Sequence, residues 1–384
     1  SPDRTRARVS GRRLVTQRGP LRLGRPDLAA EIGKPPKRIR RIGARRARAL
    51  LDLARESMVT RARDLYTFTA ANVNDACLVD CGDGLEFFCV GVEPEQRLLL
   101  DAVYGLLTLR NGVPIGYALF STLWRSAEVA YNVFETFRGG ESAWIYGRML
   151  ATIRAMFGAD TFTVDPYQLG HHNDEGLESG AWWFYYKLGF RPWDPAIGKL
   201  AAGEAGKVAA RRGYRTGPAT LRKLVSANLF LQLGPPRRDV IGAIPAGSIG
   251  LAVTDYLADR FGADRERATG ELAAEAAARL GVNNWRRWPA GERLFWERWA
   301  PLVALLPGLD AWSAEEKHGL AAVIRAKGGR RESDFVARFD AHPRLGAALV
   351  TMARMGRPRR EPAPRSPAPA PQSATARRNP AASA

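Results

Sequence analysis

Residues 102–143 read AVYGLLTLRNGVPIGYALFSTLWRSAEVAYNVFETFRGGESA, and this stretch decides the fold class. Asn111-Gly112 stands between two apolar runs, Ala102–Leu109 and Val113–Leu123, which is the strongest short-range hairpin signal. Glu128–Phe137 then predicts a third antiparallel strand. Arg138-Gly139-Gly140-Glu141-Ser142-Ala143 turns from its end into a helix over Ser142–Phe157. Upstream, Leu85–Val92 is apolar and aromatic and predicts another strand. Downstream, Thr161–Val164 predicts a short buried strand and Leu177–Leu188 a helix ended by Gly189. The expected class is α/β: a mixed, mostly antiparallel sheet flanked by helices.

Outside this block the pattern changes. Ala44–Tyr66 reads as a helix, with Leu50, Leu51, Leu53, Met58 and Leu65 among charged residues. Beyond Trp193 the signals are helical: one helix from Pro218 to near Leu233, others over Ile249–Phe261 and Asp264–Leu280, and a Ser313/Glu316 capping box opening a helix that ends at Gly328. Trp285, Trp288, Trp296, Trp299 and Trp312 recur at helical spacing, which predicts core; stacking on a ligand is the rarer use. The expected organisation is a basic disordered tail over 1–43, an α/β domain over 44–216, an all-α region over 217–356, and a Pro/Ala/Arg tail over 357–384.

The net charge of +19 belongs to the ends, because residues 1–48 carry +13 and residues 357–384 carry +5. The body is close to neutral. Such tails either stay solvated or touch nucleic acid or an anionic surface weakly and without sequence specificity. No apolar run reaches the length of a membrane span, and no signal-peptide pattern opens the sequence, so a cytoplasmic protein is expected. Cys77, Cys81 and Cys89 lie far from the four histidines and read as ordinary reduced thiols, with no metal expected. His171 and His172 are adjacent loop residues, a spacing that chelates one ion poorly.

The turn at Gly139-Gly140 carries a chemical suggestion. Two glycines let the backbone curl around a ligand, and the first N–H groups of the following helix have no intrahelical partner. Such a corner suits an anion, and a diphosphate fits it. A second segment is more specific: Ser179-Gly180-Ala181-Trp182-Trp183-Phe184-Tyr185-Tyr186-Lys187-Leu188-Gly189-Phe190. Projected as one helix over Leu177–Leu188, residues Leu177, Ala181, Phe184 and Leu188 form an apolar stripe. Tyr185 borders that stripe near Glu178, while Tyr186 points away.

This segment resembles the fourth-helix signature of GNAT acetyltransferases at Ala181, Phe184, Tyr185, Lys187, Leu188, Gly189 and Phe190, and it follows the glycine turn at a fitting distance. The resemblance covers roughly the central third of the chain. It implies a GNAT-like sheet in which two neighbouring strands splay apart and admit the pantetheine arm of acetyl-CoA. It also implies a turn whose backbone wraps the pyrophosphate, here Phe137, Arg138, Gly139, Gly140, Glu141, Ser142 and Ala143. Phe137 stands where the family usually has Gln or Arg; sliding the register by one places Arg138 there but Glu141 where Gly belongs.

The matching tyrosine of the family protonates the departing thiolate, so the resemblance gives Tyr185 that role; simple packing with a backbone-bonded hydroxyl is the alternative. For the base, Glu135 is the first candidate, with Glu128, Glu141, Glu178 and a relayed water competing. In the loop between strand and helix, Asn173 reads as a contact for the CoA arm or an N-cap, and Tyr167 and Gln168, with Glu178, as lining for an unidentified amine acceptor. The function implied is acyl transfer, acetyl by expectation, by direct attack in a ternary complex. A GNAT-fold module without catalysis and a nucleic-acid-associated protein acting through its tails are the rival readings.

Overall fold

The computed structural model describes residues 19–63 and 66–355. Chain order begins with α1 (Leu28–Ile32), β1 (Arg38–Arg41), α2 (Ala44–Val59), α3 (Tyr66–Thr69), β2 (Ala71–Gly82) and β3 (Leu85–Val92). It continues with β4 (Ala102–Arg110), β5 (Val113–Leu123), β6 (Ser126–Val133), α4 (Ser142–Phe157) and β7 (Thr161–Val164). Then come α5 (Pro166–Leu169), α6 (Asp174–Ser179), α7 (Ala181–Lys187), β8 (Arg191–Pro192), α8 (Pro195–Ala210), α9 (Pro218–Leu224) and β9 (Leu229–Gln232). The last helices are α10 (Gly247–Phe261), α11 (Arg265–Leu280), α12 (Ala290–Leu305), α13 (Ala314–Lys327), α14 (Glu332–Asp340) and α15 (Pro343–Met355).

Among the described residues nine strands form one sheet in the order β1-β2-β3-β4-β5-β6-β7-β9-β8, and only β6 and β7 run parallel. The protein is therefore α/β with a mixed, mostly antiparallel sheet, as the pattern of strands indicated. The Asn111-Gly112 turn is the two-residue hairpin expected, with both φ values positive at 52° and 85° and Arg110 opposite Val113. Strands β3 to β5 are buried along nearly their whole length because helices cover both faces. One face, with Phe88, Val90, Leu107 and Leu109, receives the Ala47–Leu50–Leu51–Ala54–Met58 stripe of α2. The other, with Phe87, Tyr104, Leu106 and Phe120, packs on α1, α4 and the C-terminal helices.

Several expectations are corrected. Residues 1–43 were expected to form a tail; the described part instead contributes α1, whose Leu28 and Ile32 are buried, and β1, which pairs with β2 from Arg38↔Asp80 to Arg41↔Cys77. Arg148 on α4 fixes this arm by donating to the carbonyls of Glu31, Lys34 and Pro35. Residues 1–18 and 356–384, where most of the basic-tail reading falls, lie outside the described residues. The helix expected to run from Pro218 to Leu233 stops at Leu224, and Leu229–Gln232 is a strand of the sheet. β9 pairs with both β7 and β8, so the expected boundary at 216 runs through the sheet.

The five tryptophans of the helical region are all buried, as core side chains should be, and Trp299 Nε1 donates to the Leu99 carbonyl at 3.0 Å. The capping box at Ser313 and Glu316 is formed. A buried polar group joins the helices to the sheet. Lys327 Nζ donates to Glu332 at 2.5 Å and to the Leu100 and Asp101 carbonyls, and Arg97 donates to the carbonyls of Lys327 and Gly329. Among the described residues no helix is long and apolar enough to cross a membrane.

Candidate functional site

The site is created by a failure of pairing. β6 and β7 are bonded through Ser126↔Thr161, Ala127↔Phe162 and Glu128↔Thr163. β6 then continues to Val133 while β7 ends at Val164, so the two parallel strands part beyond Glu128. The gap opens into a cleft of about 420 Å³. Tyr131, Asn132 and Val133 line one wall; Gln168, Asn173, Ala181, Phe184 and Tyr185 line the other; Gly139, Gly140, Ser142 and Ala143 close its end.

The glycine turn has the conformation its sequence required. Gly139 and Gly140 have φ of 89° and 53°, in the left-handed region that a side chain disfavours. Both are exposed, and no atom lies within 4 Å of where a Cβ would stand, so the corner is open. Among the described residues, the amides of Gly139, Gly140, Glu141 and Ala143 donate no hydrogen bond. They lie at the N-terminus of the sixteen-residue helix α4, where backbone dipoles leave a partial positive charge.

The Glu141 side chain does not enter the cleft. Its carboxylate is buried and accepts two bonds at 2.9 Å from Arg110, and a third at 3.1 Å from the Arg22 amide. This pair anchors the turn to the β4–β5 hairpin and removes Glu141 as a base. Ser142 Oγ donates to the Gly139 carbonyl at 2.7 Å. Arg138 extends across the cleft mouth to Glu175 on α6. Glu175 is also forked by Arg63, at 2.7 and 2.9 Å, and these bonds, Arg63 first, pull its carboxyl down to about 2.

The remaining expected residues divide. Leu177–Leu188 is not one helix: Gly180, at φ 70° and ψ 30°, ends α6 and starts α7. The single-helix projection therefore fails, and Glu178 is exposed away from the cleft. Tyr185 still reaches the cleft, through tertiary packing of α7. Its ring meets Tyr146 at 5.5 Å and Phe190 at 5.7 Å, edge on, and its hydroxyl makes no hydrogen bond to the described residues. Burial raises its pKa above the ordinary phenol range.

Glu135 is corrected as well. The strand ends at Val133, and Glu135–Phe137 is a single 3₁₀ turn on the surface, so Glu135 lacks the burial that its role as a base required. Phe137 is exposed beside it and does not line the cleft. Tyr167 is 55 % exposed and points outside, whereas Gln168 lines the wall. Asn173 is both lining and cap: its Oδ1 accepts from the Gly176 amide and its Nδ2 donates to the Tyr167 carbonyl. His171 and His172 pack ring to ring at 4.1 Å.

Glu128, one of the competing bases, sits at the last paired position before the strands part. Burial, and secondarily the carboxylates of Asp165 and Asp101, push its pKa up to about 7. Two further polar atoms were not signalled by the sequence. The Tyr131 hydroxyl and Asn132 Oδ1 are buried without a hydrogen-bond partner among the described residues, on the strand whose β7-facing edge lies open. Buried polar atoms are seldom left so, and both lie on a wall of the cleft. Compared with known proteins, the chain matches no family model, no curated protein and no solved structure.

Proposed function

We propose that the chain is a GNAT-type acyltransferase that moves an acyl group, acetyl by expectation, from CoA to an amine. The observation that carries this reading is the parting of β6 from β7 beyond Glu128, with an open glycine turn at the far end of the gap. The residues present fit the co-substrate. The free amides of Gly139, Gly140, Glu141 and Ala143 suit a diphosphate, and Arg138 and Arg63 add positive charge at the mouth. The unpaired edge of β6, with Asn132 Oδ1 and the Tyr131 hydroxyl, suits the amides of a pantetheine arm laid along it like an added strand.

When bound, acyl-CoA supplies a thioester, whose carbonyl an amine attacks with loss of the thiolate. Glu128 does not line the cleft itself; it stands at the last paired position of β6 and β7, and its carboxyl, ionising near neutrality, is the candidate to take the proton from an amine that reaches that end of the gap. Tyr185, kept protonated by burial, is placed to give a proton to the departing sulfur. In this reading positioning of the two substrates along the gap supplies much of the rate. The test is calorimetry of acetyl-CoA with the full chain, followed by thiol release with a panel of primary amines. Binding together with amine-dependent thiol release supports the reading; absence of binding removes it.

One observation favours a second reading. The family position at the start of the turn is occupied by Phe137, which is exposed and contributes nothing to the cleft, as a non-catalytic binding module would tolerate. Binding of acetyl-CoA without thiol release from any amine would select that module.

A further inference from the structure

A second cavity, remote from this cleft, lies against α13 and α14 where α12 meets them. Its volume is about 730 Å³, enough for a ligand larger than a single phosphate. Four arginines line it, Arg325, Arg330, Arg331 and Arg338, against two acids, Glu292 and Asp334. Small residues, Ala326, Gly329 and Ala337 among them, make up much of the rest of its lining.

Three of these arginines are held in place before any ligand arrives. Arg325 uses only Nε on Glu292, at 2.8 Å, and lays its plane 4.4 Å over the Trp288 ring, leaving its two terminal nitrogens available. Arg331 forks onto Asp334 at 3.0–3.2 Å. Arg330 is held by Asn74 on β2, at 3.3 Å through Nη2, and its carbonyl accepts from Asn72. Arg338 makes no hydrogen bond or ion pair with the described residues, though it faces the same cavity.

Unlike lysine, arginine offers a planar fork that matches phosphate oxygens two at a time. Fixing it beforehand lowers the entropy lost on binding. We infer that this cavity binds an anion carrying at least two phosphoryl groups, gripped by Arg325 and Arg338 and flanked by Arg330 and Arg331. The lining offers no open aromatic face, since Trp288 is covered by Arg325, so recognition is of phosphates rather than of bases. A nucleoside polyphosphate and the backbone of a nucleic-acid strand present the same chemistry.

The experiment is titration of inorganic tripolyphosphate into the full chain at low salt, followed calorimetrically. Arg325 and Arg338 are exposed, so Arg325→Gln/Arg338→Gln leaves the core intact, which circular dichroism checks. That double variant is expected to lose at least about tenfold in affinity, while the exposed pair Arg45→Gln/Arg46→Gln on α2 loses less than about twofold. Parallel arms with ATP and a short single-stranded RNA separate the two sources: a strand site binds RNA more tightly and with the steeper salt dependence, a nucleotide site the reverse. Failure of tripolyphosphate to bind, or equal losses in the two double variants, would each overturn the assignment.

Discussion

Arg138 and Glu175 meet across the mouth of the cleft at 2.5 Å, tying the glycine turn to α6. Arg63 holds the same carboxylate, so one acid engages two arginines where a phosphate is proposed to enter. Glu175→Gln is expected to release both and to tighten acetyl-CoA binding by about two- to fivefold at low salt, the range of an exposed ion pair. The gain should shrink in high salt. Calorimetry at two salt concentrations checks it; unchanged or weaker binding contradicts it. Because the folded carboxyl sits near 2, the stability it lends is complete above the ordinary carboxylate range, declines as pH falls below that range, and is gone once pH has fallen through about 2.

Tyr185→Phe removes one oxygen from a ring otherwise held by Tyr146, Phe184 and Phe190. Turnover is expected to fall by about a hundredfold with the dissociation constant for acetyl-CoA little changed. Equal turnover in the two proteins would return Tyr185 to a packing role.

Glu128 works as a base only when ionised. With its carboxyl raised to about 7, the rate should climb as pH rises through about 7 and level off above it. Glu128→Gln should flatten that limb and lower turnover by about a hundredfold. A pH–rate profile of both proteins decides the matter, and persistence of the limb in the variant would point to another base.

The buried Arg110–Glu141 pair predicts a stability effect distinct from chemistry. Glu141→Ala leaves the Arg110 guanidinium buried without its carboxylate and frees the turn from the hairpin. Breaking such a pair typically costs about 3–5 kcal/mol, measurable by urea denaturation. Acetyl-CoA affinity should fall along with it, since the turn then has to be ordered by the ligand.

Much of the sheet was legible because its signals are local. Asn111-Gly112 specifies its own turn, and the Gly139-Gly140 corner needs positive φ that glycine alone adopts freely. Tyr185 was found by its motif, although the helix assumed for it is broken at Gly180; no periodicity argument distinguishes a glycine inside a helix from one that ends it. Glu128 was underrated for a different reason. Its raised pKa comes from burial and from Asp165 and Asp101, which are distant in sequence or lie on other elements. Glu135 was overrated because the strand was extended past Val133. The arm before Ala44 and the strand at Leu229–Gln232 were missed because short segments draw their conformation from the partners they pair with.

That last strand has a consequence for how the protein is made. Among the described residues, β8 has no strand partner other than β9, and the outer edge of β7 is filled by β9 alone. A nascent chain emerging N-terminus first carries an exposed strand edge beside its cleft until Leu229–Gln232 has left the ribosome. Truncation at 216 would make that transient state permanent, and an unprotected edge is a template for association with another copy. Expression of a 19–216 fragment should therefore yield aggregates, whereas 19–355 should not.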